Sequence, residues 1–130
     1  MSNVTDAELA VLLTLWEHGP APIRQLVDAL YPGGKAAQYA TVQKLLERLE
    51  AKECVRRDRA FWPHVYHAVV DRATFIGWHL RETAEKLCGG SMAPLLMHLL
   101  KAEQLSSEER QELRSFLEQL KQTKKTDAGS

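Results

Sequence analysis

Residues 36–70 read AAQYATVQKLLERLEAKECVRRDRAFWPHVYHAVV, and the period of their apolar positions changes partway along. In the first half Val42, Leu45, Leu46 and Leu49 recur at i, i+3, i+4 and i+7, one face of a helix running from about Ala36 to Lys52. Beyond it, Cys54-Val55-Arg56-Arg57-Asp58-Arg59 and Val65-Tyr66-His67-Ala68-Val69-Val70 fit two strands. Phe61-Trp62-Pro63-His64 falls at their turn, because Pro63 has no amide hydrogen to give a ladder.

Two further helices precede this stretch. Thr5-Asp6-Ala7-Glu8 reads as a capping box, with the Thr5 hydroxyl on the helix start and Glu8 reaching back. The helix behind it is expected to align Leu9, Leu12, Leu13 and Trp16, and Gly19 to stop it. Pro20 and Pro22 punctuate a short connector. Ile23, Leu26, Val27 and Leu30 repeat the helical spacing until Tyr31-Pro32-Gly33-Gly34, a loop by composition. Helix, helix, helix, hairpin is the order of a winged helix-turn-helix. The expected fold class is therefore mainly α: three helices plus a β-hairpin wing, followed by a helical tail.

In that tail Asp71 is a plausible N-cap for a helix to Leu87, stopped by Gly89-Gly90. A short helix carries Met92, Leu95, Leu96, Leu99 and Leu100. Ser106-Ser107-Glu108-Glu109 forms a second capping box, opening a helix striped with Leu113, Phe116, Leu117 and Leu120. Thr123 to Ser130 is polar and expected to fray. Helices this short cannot bury so many apolar side chains among themselves, and exposed apolar patches mark partner surfaces. Phe75, Trp78, Leu95, Leu96, Leu99, Leu113, Phe116, Leu117 and Leu120 are thus expected at a homodimer interface. The expected organisation is a winged-helix DNA-binding domain over 1–70, a helical dimerisation domain over 71–123 and a flexible C-terminus over 124–130.

At 130 residues with 45% apolar content, the chain is one compact module with an appendage. Its 17 basic and 17 acidic residues cancel, which counts mildly against nucleic acid. Locally the balance differs. Lys35, Lys44, Arg48, Lys52, Arg56, Arg57 and Arg59 face only Glu47, Glu50, Glu53 and Asp58 over residues 35–59. Cys54 and Cys88 form no CxxC or metal-ligand pattern and read as buried free thiols of a reducing compartment. No apolar run approaches the roughly 20 residues that span a bilayer, and no signal-peptide pattern opens the chain, so a cytoplasmic protein is expected.

The second helix of a helix-turn-helix pair enters the major groove of DNA. With Val42, Leu45, Leu46 and Leu49 inward, the third helix presents Gln38, Ala40, Gln43, Lys44, Glu47 and Arg48, with Thr41 at the flank. Glutamine pairs with adenine, lysine and arginine reach guanine or phosphate, and the Tyr39 and Thr41 hydroxyls suit phosphate oxygens. Such a face also fits a plain solvated surface. On the wing, alternation puts Arg57 and Arg59 on one face and Arg56 on the other. They can bind phosphate or minor groove, or pair with Asp58 or Glu53. Trp62 can touch DNA from the tip, but tryptophan usually buries itself, and packing against the tail is expected. His18, His64, His67, His79 and His98 are scattered, without HExxH, GxSxG or a phosphate loop. Neither an enzyme nor a metal site nor a cofactor is expected. The competing class is a winged helix used for protein–protein contact without DNA.

The run Tyr39-Ala40-Thr41-Val42-Gln43-Lys44-Leu45-Leu46-Glu47-Arg48-Leu49-Glu50-Ala51-Lys52 closely resembles the recognition-helix signature of the BlaI/MecI/CopY repressors. Glu8 to Trp16 resembles that family's first helix, and Gly89-Gly90-Ser91 and Glu103 to Glu109 its tail. The resemblance implies a homodimer repressing from a palindromic operator, with contacts from Tyr39, Thr41, Gln43, Lys44 and Arg48. It also implies relief through a membrane sensor protease that triggers cutting of the tail, or through metal exchange in the copper branch. This sequence departs in places. Ala40 stands where a polar residue is common. Glu53 replaces a usual glycine or asparagine, so a helix end built differently is expected. Residues 61–64 extend the wing. An asparagine–phenylalanine cleavage pair is not evident between Ser91 and Leu100, and a copper-type C-terminal cysteine pair is absent.

Overall fold

The computed structural model describes residues 4–101 and 105–128. Glu103 and Gln104 of the tail motif, and the last two residues of the expected frayed end, lie outside the described residues. The elements are α1 (Asp6–His18), β1 (Ala21–Pro22), α2 (Ile23–Leu30), α3 (Ala36–Ala51), β2 (Val55–Asp58), β3 (Val65–Ala68), α4 (Arg72–Cys88), α5 (Ala93–Lys101) and α6 (Ser107–Ala128). They fall into two compact units, divided within α4 after Glu82.

In the first unit α1, α2 and α3 pack on one another around Leu12, Leu26, Val27, Leu46 and Leu49, all fully buried. The stripe expected for α3 is the one observed: Val42, Leu45, Leu46 and Leu49 face inward. That of α1 is shifted by one residue. Glu8, Val11, Leu12 and Leu15 are buried, Leu9 and Trp16 lie at the margin, and Leu13 is exposed. The cause is Glu8. Thr5 caps the helix as expected, its hydroxyl accepting from the Glu8 amide at 3.2 Å. The Glu8 carboxylate, instead of reaching back, enters the core and takes hydrogen bonds from Lys52 Nζ at 2.6 and 2.8 Å. A charge leaves water only where a partner meets it, so this one pair sets the face that α1 buries.

The wing is a three-stranded antiparallel sheet in the order β1-β3-β2, not a simple hairpin. Ala21 pairs with Tyr66 and Pro22 with Val65, while Val55 to Asp58 run opposite Ala68 to Val65. A proline is tolerated there because β1 is an edge strand. A two-residue strand, one of its residues a proline, gives alternation nothing to show.

Between α3 and β2 the chain turns through Glu53 at φ 61°. Its amide donates to Glu50 O and the Cys54 amide to Leu49 O, at 3.0 and 2.9 Å. These are the two bonds of a Schellman cap, so the helix ends in the usual way despite its glutamate. The expected different build is corrected: two carbonyls satisfied outweigh one strained residue. Cys54 is fully buried behind this corner, and burial pushes its thiol above the ordinary 9.0. Cys88, also a free thiol, is half-buried.

The first turns of α4 pack with this unit. Asp71 caps the helix, accepting from the Thr74 amide at 2.7 Å. Phe75 is buried in the core cluster, Trp78 packs against it, and the Trp16 and Phe75 rings lie 5.5 Å apart. Trp16 Nε1 donates to Val70 O at 2.9 Å.

The second unit is differently composed. Ser106 and Glu109 form the expected capping box, each side chain bonded to the other's amide at 3.1 Å. Helix α6 continues to Ala128, past the Thr123 at which fraying was expected. In α5 no residue is buried. Leu96, Met97, Leu99 and Leu100, with Phe116, Leu117 and Leu120 of α6, are all between 44% and 57% exposed.

Candidate nucleic-acid interface

The turn between α2 and α3 fixes how α3 is presented. Tyr31 N donates to Val27 O and Gly34 N to Tyr31 O, both at 2.7 Å. A Cβ on Gly34 would sit 2.8 Å from Tyr31 O and 2.9 Å from Val27 Cγ1, contacts no side chain can make. The backbone of the turn leading into α3 therefore approaches the end of α2 at a distance only glycine allows. Lys35 N then donates to Gln38 Oε1 at 2.8 Å, closing the first turn.

From this start the outward face follows from the buried one. Tyr39, Ala40, Thr41, Gln43, Lys44, Glu47 and Arg48 are exposed. Two expected readers are partly committed within the chain. Gln38 spends its carbonyl oxygen on the cap and keeps its amide NH₂. The Thr41 hydroxyl donates to Ala37 O at 3.0 Å, so it can accept but its proton is not offered to phosphate. Gln43, Lys44 and Arg48 have no such engagement.

The seven cations of the basic island divide. Lys52 is taken by Glu8. Arg57 Nη2 lies 3.0 Å from Glu50 Oε1 and its guanidinium sits over the Tyr66 ring, 5.5 Å from the centroid. The hydrogen bond to Glu50 holds the Arg57 pKa above its ordinary value. Neither Asp58 nor Glu53, the acids expected beside it, is its partner. Strand alternation explains this: Arg57 points with Tyr66 toward α3, while Asp58 lies on the other face, 3.6 Å from His67 Nε2. Burial beneath the arginine raises the Tyr66 pKa. Lys35, Lys44, Arg48, Arg56 and Arg59 are exposed and have no acidic partner among the described residues. β2 ends at Asp58, so Arg59 belongs to the turn and does not share a sheet face with Arg57.

At the tip, Phe61 is 59% and Trp62 87% exposed, the latter meeting His64 edge-on at 5.0 Å. The expectation that Trp62 buries itself against the tail is corrected. It stands on a six-residue turn beyond the last strand pair, where the ring it meets is that of His64. Among the described residues no group of three or more His, Cys, Asp or Glu could hold a metal, and no helix is long and apolar enough to cross a membrane.

Sequence reasoning missed the Glu8–Lys52 pair and the Glu50–Arg57 pair. A signal existed for the first: Glu8 sits at the inward spacing to Val11, Leu12 and Leu15. None existed for the second, which needs the corner after α3 to bring the two together.

Three helices and a small wing sheet, with a helix face carrying cations that have no acidic partner among the described residues, define a winged helix-turn-helix protein. Residues 4–119 match the model of the penicillinase repressor family, and the chain belongs to that family, a family of transcriptional repressors. It is similar to a penicillinase repressor of Bacillus licheniformis, 27% identical over 125 residues and 95% of each chain. It is also similar to the transcriptional regulator Tm0710 of Thermotoga maritima, 23% identical. That alignment covers 98% of this chain and 80% of the other, with a TM-score of 0.43.

Proposed function

We infer that the chain represses transcription as a homodimer on a palindromic operator, reading the major groove with α3. The observation that carries this reading is the outward face of α3. Gln43, Lys44 and Arg48 stand exposed and uncommitted on a helix whose opposite face is locked into the core. Gln43 suits an adenine edge, Lys44 and Arg48 suit guanine or phosphate, and Tyr39 offers a hydroxyl to phosphate. Gln38 contributes its amide NH₂ and Thr41 its lone pairs. Arg56 and Arg59 are the wing's free cations. Arg57 supports the face from behind by neutralising Glu50.

Dimerisation is supported by the second unit. Leu96, Leu99, Phe116, Leu117 and Leu120 are half-exposed along two helices, together with the partly buried Leu95 and Leu113. A soluble monomer rarely leaves such a stripe in water, and a second copy is the economical cover. Phe75 is buried within the protomer and drops out of this interface, whereas Trp78, packed against the core but partly exposed, stays in it. A membrane sensor protease as the relieving partner rests on the family likeness alone, and no catalytic step is assigned to the chain.

The test is a titration of the full chain against a labelled duplex of its own upstream promoter region, at two salt concentrations, with random duplex as competitor. Tight, salt-sensitive binding that random DNA does not displace is expected. Lys44→Ala and Arg48→Ala should weaken it without changing the sedimentation of the dimer, whereas Phe116→Glu should give a monomer. No binding even at low salt, with no retention on heparin, would instead favour a module for protein contacts.

A further inference from the structure

The wing tip, which the reading by α3 does not use, carries the most exposed large apolar side chain among the described residues, Trp62. β2 and β3 pair over four residues each, and the chain then spends six, Arg59 to His64, on a turn that two could make. Those six present Phe61 and Trp62 to solvent, with the indole braced edge-on by His64. The wing cations without acidic partners among the described residues, Arg56 and Arg59, lead into them, Arg59 from the same turn. An aromatic plane beside unneutralised arginines fits a polyanion that also offers flat apolar faces. That combination is nucleic acid. The Glu50–Arg57 pair ties the same strand to the end of α3, so a duplex lying along α3 has the wing at its flank.

We propose that Trp62, braced by His64, enters the minor groove beside the stretch read by α3 and wedges against a base step. Arg59 anchors the tip on the adjoining phosphates. The inference rests on the DNA-binding reading above and adds a second source of specificity to it. Apolar side chains that part a base step kink the duplex and gain further contact from the bend. Pyrimidine–purine steps yield most easily, so the operator should favour TA or CA/TG at that flank without any hydrogen bond reading it.

The experiment uses the full chain and the duplex that the wild type selects most strongly from a randomised pool. Trp62→Ala should weaken binding by about five- to 150-fold, the range found when a stacking aromatic is removed. The slope of log affinity against log salt should stay as it was, because no phosphate contact is lost. Trp62→Phe should recover most of the loss. In the wild-type complex, acrylamide should no longer reach the exposed indole, read as the difference between wild type and Trp62→Phe, since Trp16 and Trp78 are already packed against the core. Wild-type affinity in Trp62→Ala would overturn the wedge alone, as would an indole equally quenchable in the free and bound protein. A wild-type chain that binds no duplex would overturn both readings.

Discussion

The division of the basic island into paired and unpaired cations makes a quantitative claim about salt. Each phosphate neutralised by a lysine or arginine contributes about −0.9 to the slope of log affinity against log salt. Lys35, Lys44, Arg48, Arg56 and Arg59 are unpaired, five in each protomer and ten in a dimer. If all reach phosphate, the slope is about −9, and affinity falls about 250,000-fold between 50 and 200 mM salt. Arg57 and Lys52 add nothing, for each already holds a carboxylate. The decisive comparison is between Arg59→Gln and the double change Glu50→Gln with Arg57→Gln. The first removes two phosphate contacts per dimer and should flatten the slope by about 1.8. The second removes a cation and its own anion together and should leave the slope unchanged within error. Fluorescence anisotropy on a labelled duplex at five or six salt concentrations gives both numbers. Equal flattening by the two variants would show that Arg57 abandons Glu50 for phosphate, and the partition of the island drawn above would be wrong.

Three further outcomes concern stability. Lys52→Met leaves the buried Glu8 carboxylate unpaired and should cost about 3 kcal/mol, at the low end for a buried pair because Lys52 is partly exposed; adding Glu8→Leu should restore most of it, and urea unfolding of the single and double variants measures the coupling. Glu53→Gly relieves a side chain held at φ 61° and should raise stability by about 0.5 kcal/mol after the extra chain entropy is subtracted, read as a small rise in Tm; a drop would mean the glutamate makes a contact worth more than its strain. Asp71 accepts hydrogen bonds from Thr74 that hold its pKa below the ordinary 3.8, so its contribution is present above that value and lost as pH falls through the lowered one. Asp71→Asn should remove this part of the acid dependence, read in urea midpoints as pH falls below the ordinary 3.8.

What was legible in the sequence followed uninterrupted apolar periodicity. The inward face of α3 could be named residue by residue, because four apolar positions recur there without a polar intruder. The face of α1 could not. Glu8 holds an inward position, and a rule that counts only apolar residues drifts to Leu9 and Leu13 when a charge occupies the stripe. The capping box at Ser106 held because it is local, whereas that at Thr5 held by half, since Glu8 had a better partner 44 residues away. The site divides in the same way. Outward positions of α3 follow from its inward ones, but the fate of Arg57 depends on a corner that places Glu50 opposite it. Trp62 ran against a sound general preference for burial, and nothing in the order of residues says that the turn leaves all but its His64-facing edge in water.

The buried thiol behind the α3–β2 corner also gives the protein an internal clock. A thiol reagent added to the native chain meets Cys88 first, half-buried near the end of α4. Cys54, with none of its surface in water, reacts only from conformations in which that corner has come apart. The second, slower labelling event therefore times excursions of the reading helix itself, residue-specifically and without any engineered probe. Any duplex that clasps α3 should lengthen that interval in proportion to how tightly it binds.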